Sequence, residues 1–358
     1  MAQDKNKTIP NVPPLRFPGF TDDWKEKTIG DVTSIGSGRD YKHLDAGDIP
    51  VFGTGGYMLS VNDYLYEGET VFIGRKGTID KPFWYSGKFW TVDTLFYTFD
   101  FKGVLPKFIY NQFLRINWKL YNEASGVPSL SKATIEKIKI KYPSLAEQEK
   151  ISSFLSLVDE RINIQNKIIE DLKKLRAAII DKEFNSMNGK IFLLEEVADI
   201  IKGKQINGEY LTDDGEYYVM NGGVEPSGYY HSFNALGNTI SISEGGNSCG
   251  YIQWNNKPFW SGGHCYTLNI KDDFIENKYL YHFLKWREVD IMKLRIGSGL
   301  PNIQKKDLAK VPIIIPSNSA QKGLIDLADS IDGKIEIENT FLTLLHSQKG
   351  YLLSRLFI

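Results

Sequence analysis

Cysteine and histidine are the side chains most able to hold a metal, and this sequence has few of them. It contains two cysteines, Cys249 and Cys265, and five histidines, of which His264 precedes Cys265. Zinc ligands normally come in pairs spaced C-x₂₋₄-C or H-x₃₋₅-H, and these three residues with no fourth ligand do not fit. We therefore expect core or loop cysteines and no metal site. Two cysteines also exclude a disulfide framework and suit the reducing cytoplasm.

Two glycine-rich stretches, residues 53–56 and 245–247, are the candidates for a phosphate-binding loop. Neither has the G-x-G-x-x-G spacing in a strand–helix context, and no G-x-x-x-x-G-K-[ST] loop is present. A nucleophile elbow, a paired-carboxylate motif and the [ND]-P-P-[YF] element of amino-methyltransferases are also missing from the sequence. These observations predict a chain without cofactors and favour a binding or assembly role over an enzyme.

Composition excludes two further classes. The 358 residues are 42% hydrophobic and 24% charged, which is typical of folded globular chains and allows two domains. Residues 1–14 are polar, with two lysines and no apolar core, and no apolar run reaches the roughly 18–20 residues of a membrane helix. We expect neither a secretory signal nor a membrane span. The net charge of −1 argues against coating nucleic acid by bulk charge.

The sequence contains an internal repeat, most clearly downstream in each half. A shift of 173 positions aligns the residues from Ser125 to Phe184 with those from Ser298 to Phe357 without gaps. Upstream, Lys81–Trp84 reappears as Lys257–Trp260 and Ile29–Val32 resembles Leu194–Val197, at other offsets. Changing offsets indicate loop insertions, whereas the fixed offset indicates a part that tolerates no length change.

The fixed-length part of each copy is predicted to be a long helix. Apolar residues recur at three- and four-residue steps, as in an amphipathic helix with a coiled-coil seam. Pro143-Ser144 and Pro316-Ser317 precede the helices, where proline and a small polar cap are common. Residues 145–184 would span roughly 60 Å as one helix. Each helix could pack on its own domain, or the two could form an antiparallel pair that joins the domains.

Strand and helix patterns alternate in the upstream parts. The predicted strands are residues 70–73, 94–99, 217–220, 239–242 and 265–268, and the predicted helices are residues 105–121 and 277–293. The fold class predicted from these patterns is α+β, present twice, with an all-helical spacer.

The ordered set of these motifs resembles the specificity (S) subunit of type I restriction–modification systems. It consists of a globular part, an S-G-x-P motif, a hydrophobic run ending in proline, and a glutamine (Gln148 or Gln321) that opens a long helix. The opening residues 15–20, with Trp24 and Ile29–Val32, resemble the start of such subunits. The second copy departs from the family's P-x-x-E-Q pattern because Ala320 replaces the glutamate found at Glu147.

The resemblance implies two target recognition domains separated by an antiparallel pair of long helices with a pseudo-two-fold relation. It implies a non-catalytic subunit that recognises two half-sites of double-stranded DNA with a fixed gap. The implied partners are two methyltransferase (M) subunits and, for cleavage, restriction (R) subunits. The predicted boundaries are an N-terminal segment at 1–20, the first recognition domain at 21–143, the central helix at 144–184, a linker at 185–190, the second recognition domain at 191–316 and the C-terminal helix at 317–358.

Candidate DNA-binding residues are polar side chains in glycine-rich or turn-rich segments beside strands, because such side chains read base edges and phosphates. In the first domain they are Thr54, Tyr57, Arg75, Lys76, Thr78 and Lys88. In the second they are Asn221, Glu225, Asn247, Ser248, Gln253 and His264. Ser129, Lys132, Asn302 and Lys305 belong to the S-G-x-P motif shared by both copies, which either binds phosphate or forms a required turn.

A second predicted surface lies on the central helix, outside its seam. The resemblance makes part of it a docking site for the methyltransferase subunits, with Lys167, Lys173, Lys174 and Arg176 as candidates; its mixed charge also fits a solvated face. The alternative function is a structural coiled-coil adaptor between proteins, without sequence-specific DNA reading.

Overall fold

The computed structural model describes residues 11–297, 299 and 301–358. The start of the predicted N-terminal segment, residues 1–10, and two residues of the second S-G-x-P motif, Ser298 and Leu300, lie outside the described residues. The chain divides into two compact units. The first unit contains described residues 11–166 with Phe341–Ile358, and the second contains Lys167–Thr340. Among the described helices, none combines the length and apolar character needed to cross a membrane.

The elements up to the first long helix belong to the first copy of the repeat. In chain order they are β1 (Lys25–Thr28), α1 (Ile29–Val32), β2 (Ser34–Ser37), β3 (Ala46–Gly53), β4 (Gly56–Val61), β5 (Tyr66–Gly74), β6 (Phe83–Thr91), β7 (Leu95–Phe99), α2 (Pro106–Arg115), α3 (Lys132–Lys137), β8 (Lys139–Tyr142) and α4 (Leu145–Ser186).

The second copy follows the same plan. Its elements are β9 (Lys190–Leu193), α5 (Leu194–Val197), β10 (Ala198–Lys202), β11 (Tyr217–Met220), β12 (Tyr229–Tyr230), β13 (Thr239–Ser243), β14 (Ile252–Asn255), β15 (Trp260–Ser261), β16 (Cys265–Ile270), α6 (Asn277–Trp286), α7 (Glu288–Met292), α8 (Lys305–Ala309), β17 (Pro312–Ile315) and α9 (Asn318–Arg355).

The first unit is built on a six-stranded sheet of order β2-β7-β5-β6-β3-β4, in which only the β3–β6 pair is parallel. The second unit has a four-stranded antiparallel sheet of order β10-β16-β13-β14 and a three-stranded sheet of order β12-β11-β15. In both units a two-stranded sheet, β1–β8 or β9–β17, joins the start of the copy to the strand before its long helix. The fold is therefore α+β in each unit, as predicted.

The predicted strands are all present, whereas the two predicted helices are shorter than expected. The helix predicted over residues 105–121 ends at Arg115, and a 3₁₀ turn follows at Trp118–Tyr121. Trp118 is buried there and donates Nε1–H to the carbonyl of Phe113 at 2.8 Å. The helix predicted over 277–293 is interrupted at Arg287, whose ψ of 6° leaves the helical region. At the first break, the burial of Trp118 thus accompanies the end of the continuous helical pattern.

Both long helices are present, at Leu145–Ser186 and Asn318–Arg355, where the sequence predicts 144–184 and 317–358. Helix α4 covers 42 residues and α9 covers 38. Helix α4 begins at Leu145 and α9 begins at Asn318, its counterpart in the repeat, so the second helix starts in register although Ala320 replaces the glutamate. Ser144 and Ser317 cap the helices as predicted, because their hydroxyls accept from the backbone N–H of Glu147 at 3.5 Å and of Ala320 at 3.4 Å.

A buried glutamine anchors each long helix to its unit in the same way. Gln148 donates to the carbonyls of Gly103 and Pro143, both at 3.0 Å, and accepts from the N–H of Leu105 at 2.9 Å. Gln321 makes the corresponding bonds to Phe274 at 2.9 Å, Pro316 at 3.2 Å and Glu276 at 2.8 Å. Both side chains are fully buried. The shared glutamine of the motif therefore satisfies backbone groups of the loop before α2 or α6.

Glu147 has a role that the second copy does not need. Its carboxylate receives two hydrogen bonds of 2.8 Å from Arg16 in the N-terminal segment. Bidentate arginine–carboxylate pairs are strong and geometrically specific. No second copy of the Arg16 segment exists, because α4 occupies the corresponding part of the chain. Alanine at position 320 is thus consistent with the missing arginine.

In each unit one end of α4 packs antiparallel to the opposite end of α9. In the first unit Asp159 pairs with Lys349, and Arg161 lies over the Phe341 ring at 5.4 Å. In the second unit Arg176 forms a bidentate ion pair with Asp332, and the Nη2–Oδ2 distance is 2.8 Å. In the repeat, Asp159 aligns with Asp332 and Arg176 aligns with Lys349. The two cross-helix ion pairs therefore occupy equivalent positions of the two copies.

A phenylalanine near the end of each long helix completes the core of a unit. Phe357 contacts Trp24 and Phe108 in the first unit, with ring centroids 6.2 and 5.2 Å apart. Phe184 stacks on Trp286 in the second unit at 4.9 Å. Both phenylalanines are buried, and burying such a ring contributes about 1.5–3 kcal/mol.

Candidate nucleic-acid interface

The loop after β5 brings together several candidate residues of the first unit. Arg75 donates its backbone N–H to Thr94 at 2.8 Å, and Lys76 forms a β-bridge with Ser129. Gly77 has a φ of +83° and donates to the Pro128 carbonyl at 2.9 Å. A glycine fits this left-handed backbone without steric cost. The loop is thus held between the start of β7 and the S-G-x-P motif, with Thr78 half-buried at its end.

The β3–β4 turn supplies the next candidates. Thr54 is half-buried in this turn, and its Oγ1 lies 3.9 Å from the position that a Cβ on Gly77 would occupy. Tyr57 on β4 is 64% exposed and its hydroxyl lies 3.2 Å from the Ser60 hydroxyl. Thr54 therefore neighbours the Arg75–Thr78 loop, and Tyr57 offers an exposed aromatic ring three residues further on.

Lys88 lies apart from these residues. It pairs with Glu67 across the β5–β6 ladder, at the beginning of β5, whereas Arg75 follows the end of that strand. The intervening eight residues of strand span roughly 25 Å. The ammonium of Lys88 lies 4.7 Å from the Tyr64 ring centroid and 4.0 Å from the Glu67 carboxylate. The structure therefore does not bring Lys88 into the loop cluster.

The S-G-x-P motif of the first copy forms a turn followed by a helix cap. Asn122 accepts at 2.9 Å from the N–H of Ser129, and Ser131 caps α3 by accepting from Thr134 at 3.2 Å. Glu123 accepts from the hydroxyls of Ser131 and Thr134, and these bonds lower the pKa of Glu123. These contacts support the required-turn interpretation. Lys132 is exposed, 3.6 Å from Glu136.

The second unit gathers its candidates around the loop that follows β13. Gly245 forms a β-bridge with Asn302, and Gly246 donates to the Pro301 carbonyl at 2.9 Å. Asn247 is exposed, while Ser248 is half-buried and accepts a backbone bond from Tyr251 at 2.8 Å. Lys305 is exposed at the first position of α8.

Asn221 and His264 lie beside this loop. The Asn221 side-chain oxygen accepts from the backbone N–H of His264 at 3.3 Å, and the imidazole is 62% exposed. Glu225 is exposed in the following loop. Gln253 lies in the sheet opposite Ser241, and its Oε1 is buried without a hydrogen-bond partner among the described residues. Gln253 is therefore placed differently from the loop candidates.

The residue that sequence analysis missed in this cluster is Glu244, which directly follows β13. It is 9% exposed, and its Oε1 accepts from Lys202 at 2.6 Å and from the Tyr266 hydroxyl at 3.0 Å. The imidazole Nδ1 of His264 lies 3.9 Å from Oε2. The sequence feature that could have identified Glu244 is its position directly before the Gly245-Gly246 pair.

The repeated K-P-F-W segments contribute packing. Phe259 is fully buried and stacks on Tyr218 with centroids 5.5 Å apart, and Phe83 packs against Phe72 at 4.7 Å. Trp260 donates Nε1–H to the Lys204 carbonyl at 2.9 Å.

The candidate partner residues on α4 fall into two groups. Lys167, Lys173 and Lys174 are exposed, and Lys174 pairs with Glu170 at 2.6 Å. Arg176 is half-buried and its guanidinium is engaged by Asp332. The three lysines therefore present charge at the surface, whereas Arg176 holds the helix pair together.

One cluster of metal-ligand types occurs among the described residues: His282, Asp329 and Asp332. Lys278 lies 3.5 Å from Asp329, His282 Nε2 lies 3.0 Å from the same carboxylate, and Arg176 neutralises Asp332. Burial lowers the pKa of His282, and the hydrogen bond with Asp329 opposes this effect. The carboxylates are thus neutralised by protein cations, which makes the cluster an ion-pair network.

Comparison with known proteins identifies the family. The model of the type I restriction modification DNA specificity domain matches residues 21–174 and 188–346. A putative type I specificity subunit of Mycoplasma genitalium is 33% identical over 154 residues, and one of Mycoplasma pneumoniae is 34% identical over 151 residues. Each match covers 42% of this chain and 40% of the relative, so the chain matches less than half the length of these two proteins.

Longer similarities agree with this assignment. A putative type I restriction enzyme specificity subunit of Haemophilus influenzae is 21% identical over 335 residues, covering 86% of both chains. The crystal structure of a type I restriction-modification S subunit from M. genitalium has a TM-score of 0.66 at 21% identity, and the match covers 97% of this chain and 99% of that one. This second likeness is one of fold. With two matches to the domain model covering most of its length, the chain belongs to the family of type I restriction–modification specificity subunits.

Proposed function

We propose that this chain reads a split DNA target, two short half-sites with a fixed non-specific gap, for a type I restriction–modification complex. In this proposal it has no catalytic activity, acts in the cytoplasm, and holds two methyltransferase subunits and, in the full complex, restriction subunits. The observation that carries the proposal is that both copies of the repeat hold their long helix through the same contacts of a buried glutamine. Gln148 and Gln321 fix the two long helices identically, while the loops around Arg75 and Glu244 carry different side chains.

A repeat of this kind suits two separated half-sites. DNA-binding proteins with paired reading elements set the half-site spacing by their own geometry. Helices α4 and α9 differ in length by about one turn, and they begin at equivalent positions of the repeat. We therefore propose that the helices fix the gap. The domain boundaries predicted from the sequence and the polar loop candidates, Lys88 included, stay part of this proposal.

The exposed face of α4 in the second unit is the proposed methyltransferase contact. Lys167, Lys173 and Lys174 lie there beside the apolar residues Ile168 and Leu175, which are 40% and 53% exposed. Exposed apolar side chains flanked by charges are typical of protein–protein interaction sites. Arg176 supports this face through its ion pair with Asp332.

The near-zero net charge of the two recognition domains predicts that the chain needs a partner protein to bind DNA tightly. Residues 21–143 contain 16 basic and 15 acidic side chains, and residues 191–316 contain 12 and 15. Affinity for DNA depends strongly on the number of phosphates neutralised. The chain alone should therefore bind DNA weakly, and the methyltransferase subunits should supply the missing positive charge.

The same near-zero charge favours the alternative, an adaptor that joins proteins without reading DNA. Retention of duplex DNA by the chain, by the methyltransferase partner and by both together, across a salt series, separates the two. A DNA-specificity subunit predicts sequence-dependent retention that appears only with both components and falls with salt. Retention indifferent to sequence, with an intact complex, would support the adaptor.

A further inference from the structure

The loop after β5 and the loop after β13 make the same pattern of backbone hydrogen bonds. In the first unit Arg75 donates to the Thr94 carbonyl at 2.8 Å and accepts from the N–H of Leu130 at 2.9 Å. In the second unit Glu244 donates to the His264 carbonyl at 2.9 Å and accepts from the N–H of Ile303 at 2.8 Å. Leu130 and Ile303 are aligned with each other in the gap-free part of the repeat. Arg75 and Glu244 therefore occupy the same position in their units.

The following residues extend the correspondence. Gly77 and Gly246 have φ angles of +83° and +78°, and each donates to the proline of its S-G-x-P motif at 2.9 Å. The residues between, Lys76 and Gly245, each form a β-bridge to that motif. The motif shared by both copies thus clamps a loop whose backbone is the same but whose side chains differ. This explains why the motif repeats although the loops do not.

The side chains at the shared position have opposite hydrogen-bonding character. Arginine only donates, and Nη1 of Arg75 uses one hydrogen on the Asp93 carbonyl at 3.2 Å. Ionised glutamate only accepts, and Oε1 of Glu244 is held by Lys202 and Tyr266. Its Oε2 is buried and accepts no hydrogen bond from a described residue. An unpaired buried acceptor is costly, so the free oxygen marks a place for a donor.

The donor available to that oxygen is the exposed imidazole of His264. Nδ1 of His264 lies 3.9 Å away, so a small rotation of the ring would make Nδ1–H donate to Oε2. The hydrogen bond on one ring nitrogen fixes the role of the other. In that arrangement Glu244 would orient the exposed imidazole of His264 through Nδ1, and this hydrogen bond would not use Nε2. Arg75, in contrast, can meet a base directly.

We propose that the clamped loop is the half-site reading position in both units, with Arg75 contacting a guanine in one half-site and Glu244 positioning His264 over a base of the other. Arginine binds the O6 and N7 acceptors of guanine in a bidentate manner. The two half-sites differ, in this inference, because one position of the repeat carries a donor and the other an acceptor. The inference rests on the proposed function and names the residues that give it specificity.

The test uses the complex of this chain with its methyltransferase partner. A methylation map first defines the target of the wild-type complex. Competition binding then compares the target duplex with duplexes in which one base pair is replaced. The ratio of the two affinities gives the discrimination between base pairs at each position of the target. The variants are Arg75→Ala, Arg75→Lys, Glu244→Gln and His264→Ala, and the matched controls are Lys102→Ala and Asp199→Asn, which alter exposed side chains elsewhere.

Arg75→Lys keeps the charge but loses the guanidinium fork, so it should lower discrimination at one G·C pair by about tenfold while DNA is still held. Arg75→Ala should do the same or more. Glu244→Gln and His264→Ala should lower discrimination in the other half-site only. Unchanged discrimination at every position, or an equal loss in both half-sites, would overturn the inference. A wild-type complex without a split target would instead refute the proposed function.

Discussion

Gln148 and Gln321 are the residues that most clearly tie the sequence motif to the fold. Each is fully buried and makes three hydrogen bonds to backbone groups, two of which belong to loops far away in sequence. An amide side chain is needed because it donates and accepts at once. Removing it leaves buried N–H and C=O groups without partners, which costs about 1–3 kcal/mol.

We therefore expect Gln148→Ala and Gln321→Ala each to lower the free energy of unfolding by about 1–3 kcal/mol. Urea unfolding measures the loss, and hydrogen exchange shows which unit opens: the first for Gln148 and the second for Gln321. Glu149→Ala, an exposed change beside Gln148, is the control and should stay within about 0.5 kcal/mol. If both variants are as stable as the wild type, these hydrogen bonds are dispensable and the prediction is wrong.

His282 predicts a pH dependence of stability. It is buried beside Asp329, Asp332, Arg176 and Lys278, and burial lowers its pKa below the usual value of about 6.5. The unfolded chain then binds more protons than the folded one as pH falls from about 6.5 towards that lower pKa. Stability contributed by neutral His282 is complete above this window and is lost within it on acidification.

His282→Asn should reduce this acid sensitivity, because asparagine does not titrate. Asn111 already occupies the corresponding position of the first copy, the sixth residue of α2. The measurement is the free energy of unfolding at pH 7.5 and 5.5 for wild type, for His282→Asn and for the exposed control His346→Asn. Wild type and the control should lose more stability than His282→Asn; equal losses in all three would contradict the assignment.

At the scale of elements, the long helices were predictable and the globular parts less so. The three- and four-residue steps, with Pro143-Ser144 before them, place α4 correctly at Leu145. The breaks at Ile116 and Arg287 lie beside Trp118 and Trp286, whose contacts with Phe113 and Phe184 no periodic pattern in the sequence shows. Likewise, Arg75 and the S-G-x-P motif are separate candidates in the sequence, and tertiary contacts such as the β-bridge of Lys76 with Ser129 bring them together.

The helices also carry a prediction about the gap between half-sites. Four residues inserted after Asn166 and after Asn339 keep the corresponding positions of α4 and α9 matched and add about 6 Å of helix. If the helices set the spacing, the gap in the methylated motif should widen by about two base pairs. The control is a four-residue insertion in the exposed loop at Asp213-Asp214. An active complex with an unchanged gap would contradict the role of the helices.

At the scale of the whole molecule, the chain combines an internal repeat with a near-neutral charge. The specificity-domain model matches the chain twice, and the net charge is −1. In the proposed function the two matched parts are two DNA-reading units, and the partner subunits supply the positive charge that DNA binding needs. The sequence could predict the family, because the ordered motif set occurs twice. It could not predict which loop residues meet, since Glu244 and Lys202 lie 42 residues apart and are joined only through the sheet.

The most direct test is a genome-wide map of adenine methylation in a strain that carries this gene with its methyltransferase partner, compared with the same strain lacking the gene. If this chain reads a split target, the map contains one motif with two different half-sites and a constant gap, and this motif disappears when the gene is removed. An unchanged map, with the methyltransferase expressed and bound to this chain, would contradict the reading of DNA by this protein.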